Sequence, residues 1–320
     1  MPQTLNPAGA RLKVIDPICH RGRNLQYPPM PAKKTAPAAS ETADSVCATP
    51  SLRWSEGAGW SSAPERVAVE APLAIEIAYD RRGQPVRKVL AVTMRTPGSD
   101  EELALGFLFG EGLIQSLADV QGGEAAQENA RGEKIATWRV DLAHMPREDL
   151  ERVSRGLITS SACGLCGRST LEGLPLRSPA QPAGEGHLSC EVIAALPERL
   201  RLVQKTFAET GGCHGAALFD AREGLLLARE DVGRHNAVDK LIGAALLRKI
   251  APAGKVLVLS GRASFELLQK AAASGIAAVV AVGAPSSMAV DLAHAAGIIL
   301  VGFNRGTRFN VYTHADKLVS

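Results

Sequence analysis

The chain has 320 residues, 46% of them hydrophobic, and a formal net charge of +3 that arises wholly within residues 1–64, where seven basic side chains stand against four acidic ones. Residues 65–320 carry 29 basic and 29 acidic side chains, which argues against a body that holds nucleic acid mainly by neutralising phosphates. Six cysteines are too few for a disulfide scaffold and the start shows no apolar run of signal-peptide length, so a reducing, cytoplasmic setting is expected.

Residues 1–63 are rich in Pro, Ala and Ser without a sustained apolar period, and a disordered or loosely packed tail is expected there. Trp54 and Trp60 give its last part a means of docking on the body. From Val67 the character changes. Leu73–Tyr79 and Val86–Met94 are strand-like runs separated by the turn cluster Asp80-Arg81-Arg82-Gly83, which predicts a hairpin. Ser99 with Glu102 reads as a capping box ahead of Leu103, Leu105, Phe107 and Phe109, so a helix should run to about Gly110 or Gly112. Ile135–Leu142 reads as a further strand. Residues 64–155 are thus expected to form a small α+β module.

The remainder, 156–320, has a more regular grammar. Pro197 is expected to open a helix through Leu200, Val203 and Phe207 that stops at Gly211 and Gly212. A hairpin is predicted from Ala216–Phe219 and Leu225–Ala228, then a helix capped by Asn236. Strands at Val256–Leu259, Ile276–Val282 and Ile298–Phe303 follow, with helices from Ala263 and Ser287 between them. Short Val/Ile/Leu strands alternating with helices imply a largely parallel sheet. Ala271–Val290 is uncharged and of bilayer-spanning length, but Gly275, Gly283, Pro285, Ser286 and Ser287 divide it into a strand and a helix start, and no membrane association is expected.

Ligands of such sheets bind outside the carboxyl ends of the strands. Three loops leave those ends: Ser260-Gly261-Arg262, Gly283-Ala284-Pro285-Ser286 and Asn304-Arg305-Gly306-Thr307-Arg308. Each joins small residues to an arginine or a hydroxyl, a combination that suits phosphate or carbonyl groups and equally suits ordinary turns.

Between the halves lies Ser160-Ser161-Ala162-Cys163-Gly164-Leu165-Cys166-Gly167, with Arg168 after it. Glycines and a nearby guanidinium favour the reactive thiolate over a packed thiol. Zinc would need two more ligands, from His187 with Cys190 or from Cys213 with His214, at spacings unlike those of zinc fingers. A thioredoxin-like site would follow a buried strand, and Gly156-Leu157-Ile158-Thr159 is too short and polar. A persulfide carrier is the third option. In Glu230-Asp231-Val232-Gly233-Arg234-His235-Asn236, His235 and Arg234 could face an anion with Asp231 orienting the histidine, or Asp231 and Asn236 could simply cap the helix. Cys213-His214 reads as a buried cysteine and a satisfied core histidine.

Taken together, the CGLCG pair, GGCHGAALFD at Gly211–Asp220, EDVGRHNAVDK at Glu230–Lys240, SGRAS at Ser260–Ser264, VGFNRGTRFNVYTH at Val301–His314 and RTPGSDEELALGFLFGEGLI at Arg95–Ile114 resemble the FdhD family over about Val67–Val319. The resemblance implies a sulfurtransferase required for formate dehydrogenase activity. Sulfur would come from a cysteine desulfurase and pass to the molybdenum cofactor, bis(molybdopterin guanine dinucleotide), bound as substrate. Cys163 would carry the persulfide and Cys166 would be an accessory thiol. The family's cofactor-binding stretch falls on Phe303, Asn304, Arg305, Gly306, Thr307 and Arg308, with Arg262 as a further phosphate contact. The implied fold is α/β overall: an α+β N-terminal module, then a cytidine deaminase-like α/β domain with a mixed, largely parallel sheet and the CxxC loop (160–168) at its start. A homodimer without a structural metal is implied. Zinc deaminases need H-x-E at one helix start and a CxxC at the next. The corresponding places here hold His235-Asn236-Ala237 and Arg262-Ala263-Ser264-Phe265, so no hydrolytic deamination is expected.

Overall fold

A computed structural model of the chain describes residues 45–144 and 188–319; the CxxC loop, with Cys163 and Cys166, and residues 1–44 lie outside the described residues. Residues 45–68, in and just after the expected tail, form two antiparallel pairs: β1 (Val46–Thr49) with β4 (Glu65–Ala68), and β2 (Leu52–Ser55) with β3 (Gly59–Ser62). Trp54 and Trp60 face each other across the second pair, 59% and 66% exposed. Contact with the body runs through β4 instead, where Arg66 pairs with Glu209 at 2.7 Å and Ala68 lies against Gly212.

Alternating apolar residues build the predicted hairpin as β5 (Ala71–Arg81) and β6 (Gln84–Arg95). Arg82 and Gly83 close it with φ of 57° and 81°, the pair of left-handed residues that a tight two-residue turn requires. With β7 (Val120–Ala126) and β8 (Thr137–Leu142) these strands make a sheet of order β6-β5-β8-β7, parallel only between β5 and β8. Helix α1 (Asp100–Gly110) buries Leu103–Gly110 without interruption. The predicted capping box does not form. Ser99 takes a left-handed conformation at φ 56° without a side-chain cap, and Glu102 turns away to pair with Arg229.

After the short strand β9 (Leu188–Ser189), the second sheet contains β10 (His214–Asp220), β11 (Gly224–Asp231), β12 (Val256–Leu259), β13 (Ala278–Ala281), β14 (Ile299–Gly302) and β15 (Asn310–Thr313), in the order β11-β10-β12-β13-β14-β15. Parallel pairing is confined to β12, β13 and β14, and the flanking strands are antiparallel, so the sheet is mixed. Side chains alternate between its faces. Val256, Val258, Val280 and Val301 pack with Ile193, Leu196 and Leu200 of α2 (Cys190–Arg201). Leu257, Leu259, Val279 and Leu300 face the core shared with α4 (Arg234–Leu247), α5 (Phe265–Ala273) and α6 (Ser287–Ala295). A short helix α3 (Lys205–Thr210) follows α2.

Two helix starts differ from expectation. Helix α2 begins at Cys190, where the Ser189 hydroxyl accepts from Val192 N at 3.2 Å, and Pro197 sits inside it. Helix α4 begins at Arg234 after Gly233, and Asn236 is buried in its first turn. Ala271–Val290 divides as the breakers predict, into the end of α5, strand β13 and the start of α6. Among the described residues no helix is long and apolar enough to cross a membrane.

Helix α1 lies between the two sheets and crosses α4 at glycines. A Cβ at Gly106 would fall 1.8 Å from Asp239 O, and one at Gly243 1.8 Å from Glu102 O. The backbones touch because neither residue has a side chain. One hydrophobic core therefore continues from the first sheet through α1 to the second.

Candidate functional site

Strands β12, β13 and β14 end at one edge, and the three loops singled out from the sequence meet there. Gly283 N donates to Gly261 O at 2.9 Å, Ala263 N to Ala284 O at 3.1 Å, Ser286 N to Ala263 O at 3.0 Å and Phe303 N to Gly283 O at 3.0 Å. Small residues permit this: a Cβ on Gly283 would lie 3.0 Å from both Arg262 N and Gly261 O. The Ser286 hydroxyl caps α6 by accepting from Ala289 N at 3.3 Å, so it is occupied structurally.

In the last loop Phe303 is 42% exposed at φ 51°, and Arg305, Thr307 and Arg308 are exposed. Asn304 is different. It is buried, its Nδ2 donates to Ile193 O at 2.6 Å, and its Oδ1 accepts from Gly306 N at 3.0 Å. This side chain closes an Asx turn and ties the loop to α2. Gly306, at φ 80°, and the Arg305 N to Arg308 O bond of 2.9 Å complete the turn.

The Glu230–Asn236 cluster resolves in two directions. Asp231 does not orient His235; it is buried, pairs with Lys240 Nζ at 2.7 Å, and accepts from Thr96 N at 3.1 Å and Gly233 N at 2.8 Å. Asn236 donates to Met94 O at 2.8 Å. Both residues therefore fasten the start of α4 to the end of β6. His235 Nε2 instead lies 2.7 Å from Glu266 Oε2 and 3.3 Å from Ser264 Oγ, at the start of α5. The His235 hydrogen bond holds the Glu266 carboxyl below the usual range. His214 packs beside Gly261, and burial, followed by the Arg234 and His235 charges, pushes its pKa down. Sequence reasoning missed Glu266, whose signal was an acid in the first turn of α5 following the SGRAS loop.

Cys213 is buried with Sγ 3.7 Å from Thr96 Oγ1, and burial pushes its thiol up, which fits a packing role. Among the described residues no group of three His, Cys, Asp or Glu side chains is placed to hold a metal ion.

The family model for FdhD/NarQ matches residues 68–319. The chain belongs to the FdhD/NarQ family. Proteins named sulfur carrier protein FdhD are similar to it: those of Mycobacterium tuberculosis, 47% identical over 80% of this chain and 92% of theirs, and of Streptomyces coelicolor, 43% identical over 81% and 90%. A Thermoplasma volcanium protein of the same name is 38% identical over 82% of this chain and 92% of its own. The crystal structure of a Desulfotalea psychrophila protein, provisionally assigned as a formate dehydrogenase accessory protein, superposes with a TM-score of 0.63 at 24% identity, covering 86% of this chain and all of that one. The FdhD/NarQ match begins at the last residue of β4 and takes in both sheets, α1 and all three strand-end loops.

Proposed function

We propose that this FdhD/NarQ chain is a sulfur carrier, a sulfurtransferase in reaction type, that serves formate dehydrogenase. The observation that carries the reading is the Cys163-x-x-Cys166 pair, in a Ser/Gly-rich stretch of a chain 47% identical to a protein named sulfur carrier. The formate dehydrogenase partner follows from the resemblance of its motifs to the FdhD family.

In this reading the Cys163 thiolate attacks the outer sulfur of a persulfide presented by a cysteine desulfurase. That S–S bond breaks, the desulfurase cysteine leaves as thiolate, and Cys163 becomes the persulfide without net oxidation. Onward delivery as sulfide requires two electrons. Attack of the Cys166 thiolate on Cys163 Sγ supplies them, forming a disulfide and releasing the outer sulfur as sulfide to the substrate, molybdenum bis(molybdopterin guanine dinucleotide).

Loop 303–308 suits the guanine nucleotide end of that substrate. The exposed Phe303 ring offers a stacking face, and Arg305, Arg308 and Arg262 are exposed guanidinium groups of the kind that pair with phosphate. Thr307 adds an exposed hydroxyl, while Asn304 and Gly306 hold the turn that presents them. The reading includes a cytoplasmic homodimer, checked by light scattering. The test is Cys163→Ala: unchanged folding and GDP binding with loss of formate dehydrogenase activity in a dependent strain supports it, and normal activity contradicts it.

A further inference from the structure

Helices α4 and α5 both begin at the edge where β12, β13 and β14 end, because β11 runs antiparallel to β10 and β10 antiparallel to β12. Their first turns bring His235 beside Ser264 and Glu266, with Arg234 next to it in the chain and near enough for its charge to act on Glu266 and His214, and Arg262 lies in the loop that leads into α5. His214 completes the group from the start of β10.

The charges in this group do not cancel. Asp231, an acid whose charge acts on His214, is taken up by Lys240 and by backbone donors. Glu266 hydrogen-bonds His235, and its one negative charge falls short of the two positive charges of Arg234 and Arg262. Arg234 Nε is buried with no hydrogen-bond partner among the described residues. The unpaired N–H leaves part of the Arg234 guanidinium uncompensated by the protein. His235, Glu266 and Arg262 remain open to solvent, so a ligand has access.

We propose that Arg234, His235 and Arg262 form a second anion subsite that takes a phosphate-bearing group, with Glu266 as the positioning residue for the imidazole. The subsite adjoins loop 303–308: Gly283 accepts from Phe303 N, and its Cα faces the Arg262 backbone so closely that a Cβ would lie 3.0 Å from Arg262 N. One nucleotide diphosphate can therefore reach from the loop to the helix starts. The identity of the ligand rests on the nucleotide reading of loop 303–308, whereas the anion chemistry stands on the charge arrangement alone. By accepting from Nε2, Glu266 fixes the ring's orientation, as carboxylates do for functional histidines.

The experiment is calorimetric titration of the full chain with GDP and, separately, with inorganic pyrophosphate. Arg234→Ala and His235→Ala should each weaken pyrophosphate binding about tenfold, a loss of about 1.4 kcal/mol. Arg234→Lys, which keeps the charge but loses the planar fork, should weaken it as well and guards against a folding defect in the alanine variant. Glu266→Ala should weaken binding, and Glu266→Gln, which keeps an acceptor for Nε2, should restore it. Unchanged pyrophosphate affinity in Arg234→Ala, Arg234→Lys and His235→Ala, or no pyrophosphate binding by the unaltered chain, overturns the subsite. If those variants are silent while Arg308→Ala weakens GDP, the loop reading stands without the subsite. If they weaken pyrophosphate while Arg308→Ala leaves GDP binding intact, the subsite stands and the loop reading falls.

Discussion

Asn304 donates its side-chain amide at 2.6 Å to the carbonyl of Ile193, the oxygen that Pro197, four residues further along α2, has no N–H to reach. A buried side chain of the strand-end loop thus fills a gap that proline opens in a helix packed on one face of the same sheet. Asn304→Ala should cost about 1–3 kcal/mol by leaving that carbonyl buried and unpaired. Pro197→Ala restores a helical donor, so the double variant should lose less than the sum of the single changes. Urea unfolding of all four proteins measures the coupling, and additive losses would show that the two residues act independently.

The crossing of α1 and α4 is set by Gly106 and Gly243. Gly243→Ala places a methyl group into the Glu102 carbonyl and should destabilise by about 1–3 kcal/mol or more, as helices are forced apart. Gly212→Ala is the matched control, because its Cβ would meet nothing nearer than 3.4 Å and φ is not in the left-handed region. Thermal unfolding of the pair checks this, and equal midpoints would contradict the close approach.

Lys270 and Asp239 form a buried pair at 2.6 Å between α5 and α4, with the ammonium 5.7 Å from the Phe107 ring centre. Burial pushes the Asp239 carboxyl up, and Lys270 opposes that shift. Lys270→Met strands the carboxylate and should cost about 3–5 kcal/mol. Adding Asp239→Leu should recover part of the loss, since no buried charge remains. A double variant no more stable than Lys270→Met would show that the pair's charges are not the source of the cost.

Asp220 closes the β10–β11 turn by pairing with Lys255 and accepting from the Arg222 and Glu223 amides, and its pKa falls from 3.8 to about 2, with the lysine bond the largest cause. A lowered carboxylate pKa stabilises the fold fully above the unfolded value of 3.8 and loses that contribution as pH drops towards 2. The stability difference between the unaltered chain and Asp220→Asn should therefore shrink as pH is lowered from 4 to 2. A difference that stays constant over that window would contradict the assignment.

Much of the second sheet is legible in sequence because its strands are short apolar runs bounded by Gly, Pro and Ser, and its helices have ordinary lengths. The convergence of the three strand-end loops follows from that alternation alone. What escapes is decided by partners distant in sequence. The Ser99–Glu102 pattern is a capping box locally, but Glu102 is drawn to Arg229. Pro197 reads as a helix opener because nothing nearby announces that Asn304 will satisfy Ile193. Asp231 looks like the partner of His235, four residues away, yet Glu266 reaches the ring from another helix. The strands at 46–62 escape because their side chains are almost all exposed and so leave no apolar period.

The central claim is that sulfur travels on Cys163. Mass spectrometry of the chain after incubation with a cysteine desulfurase and cysteine, followed by peptide mapping without reductant, tests it directly. A mass gain of one sulfur atom located on Cys163, absent from Cys163→Ala and retained in Cys166→Ala, is the predicted result. A chain that stays unmodified, or that carries the sulfur on Cys47, Cys190 or Cys213, would contradict it.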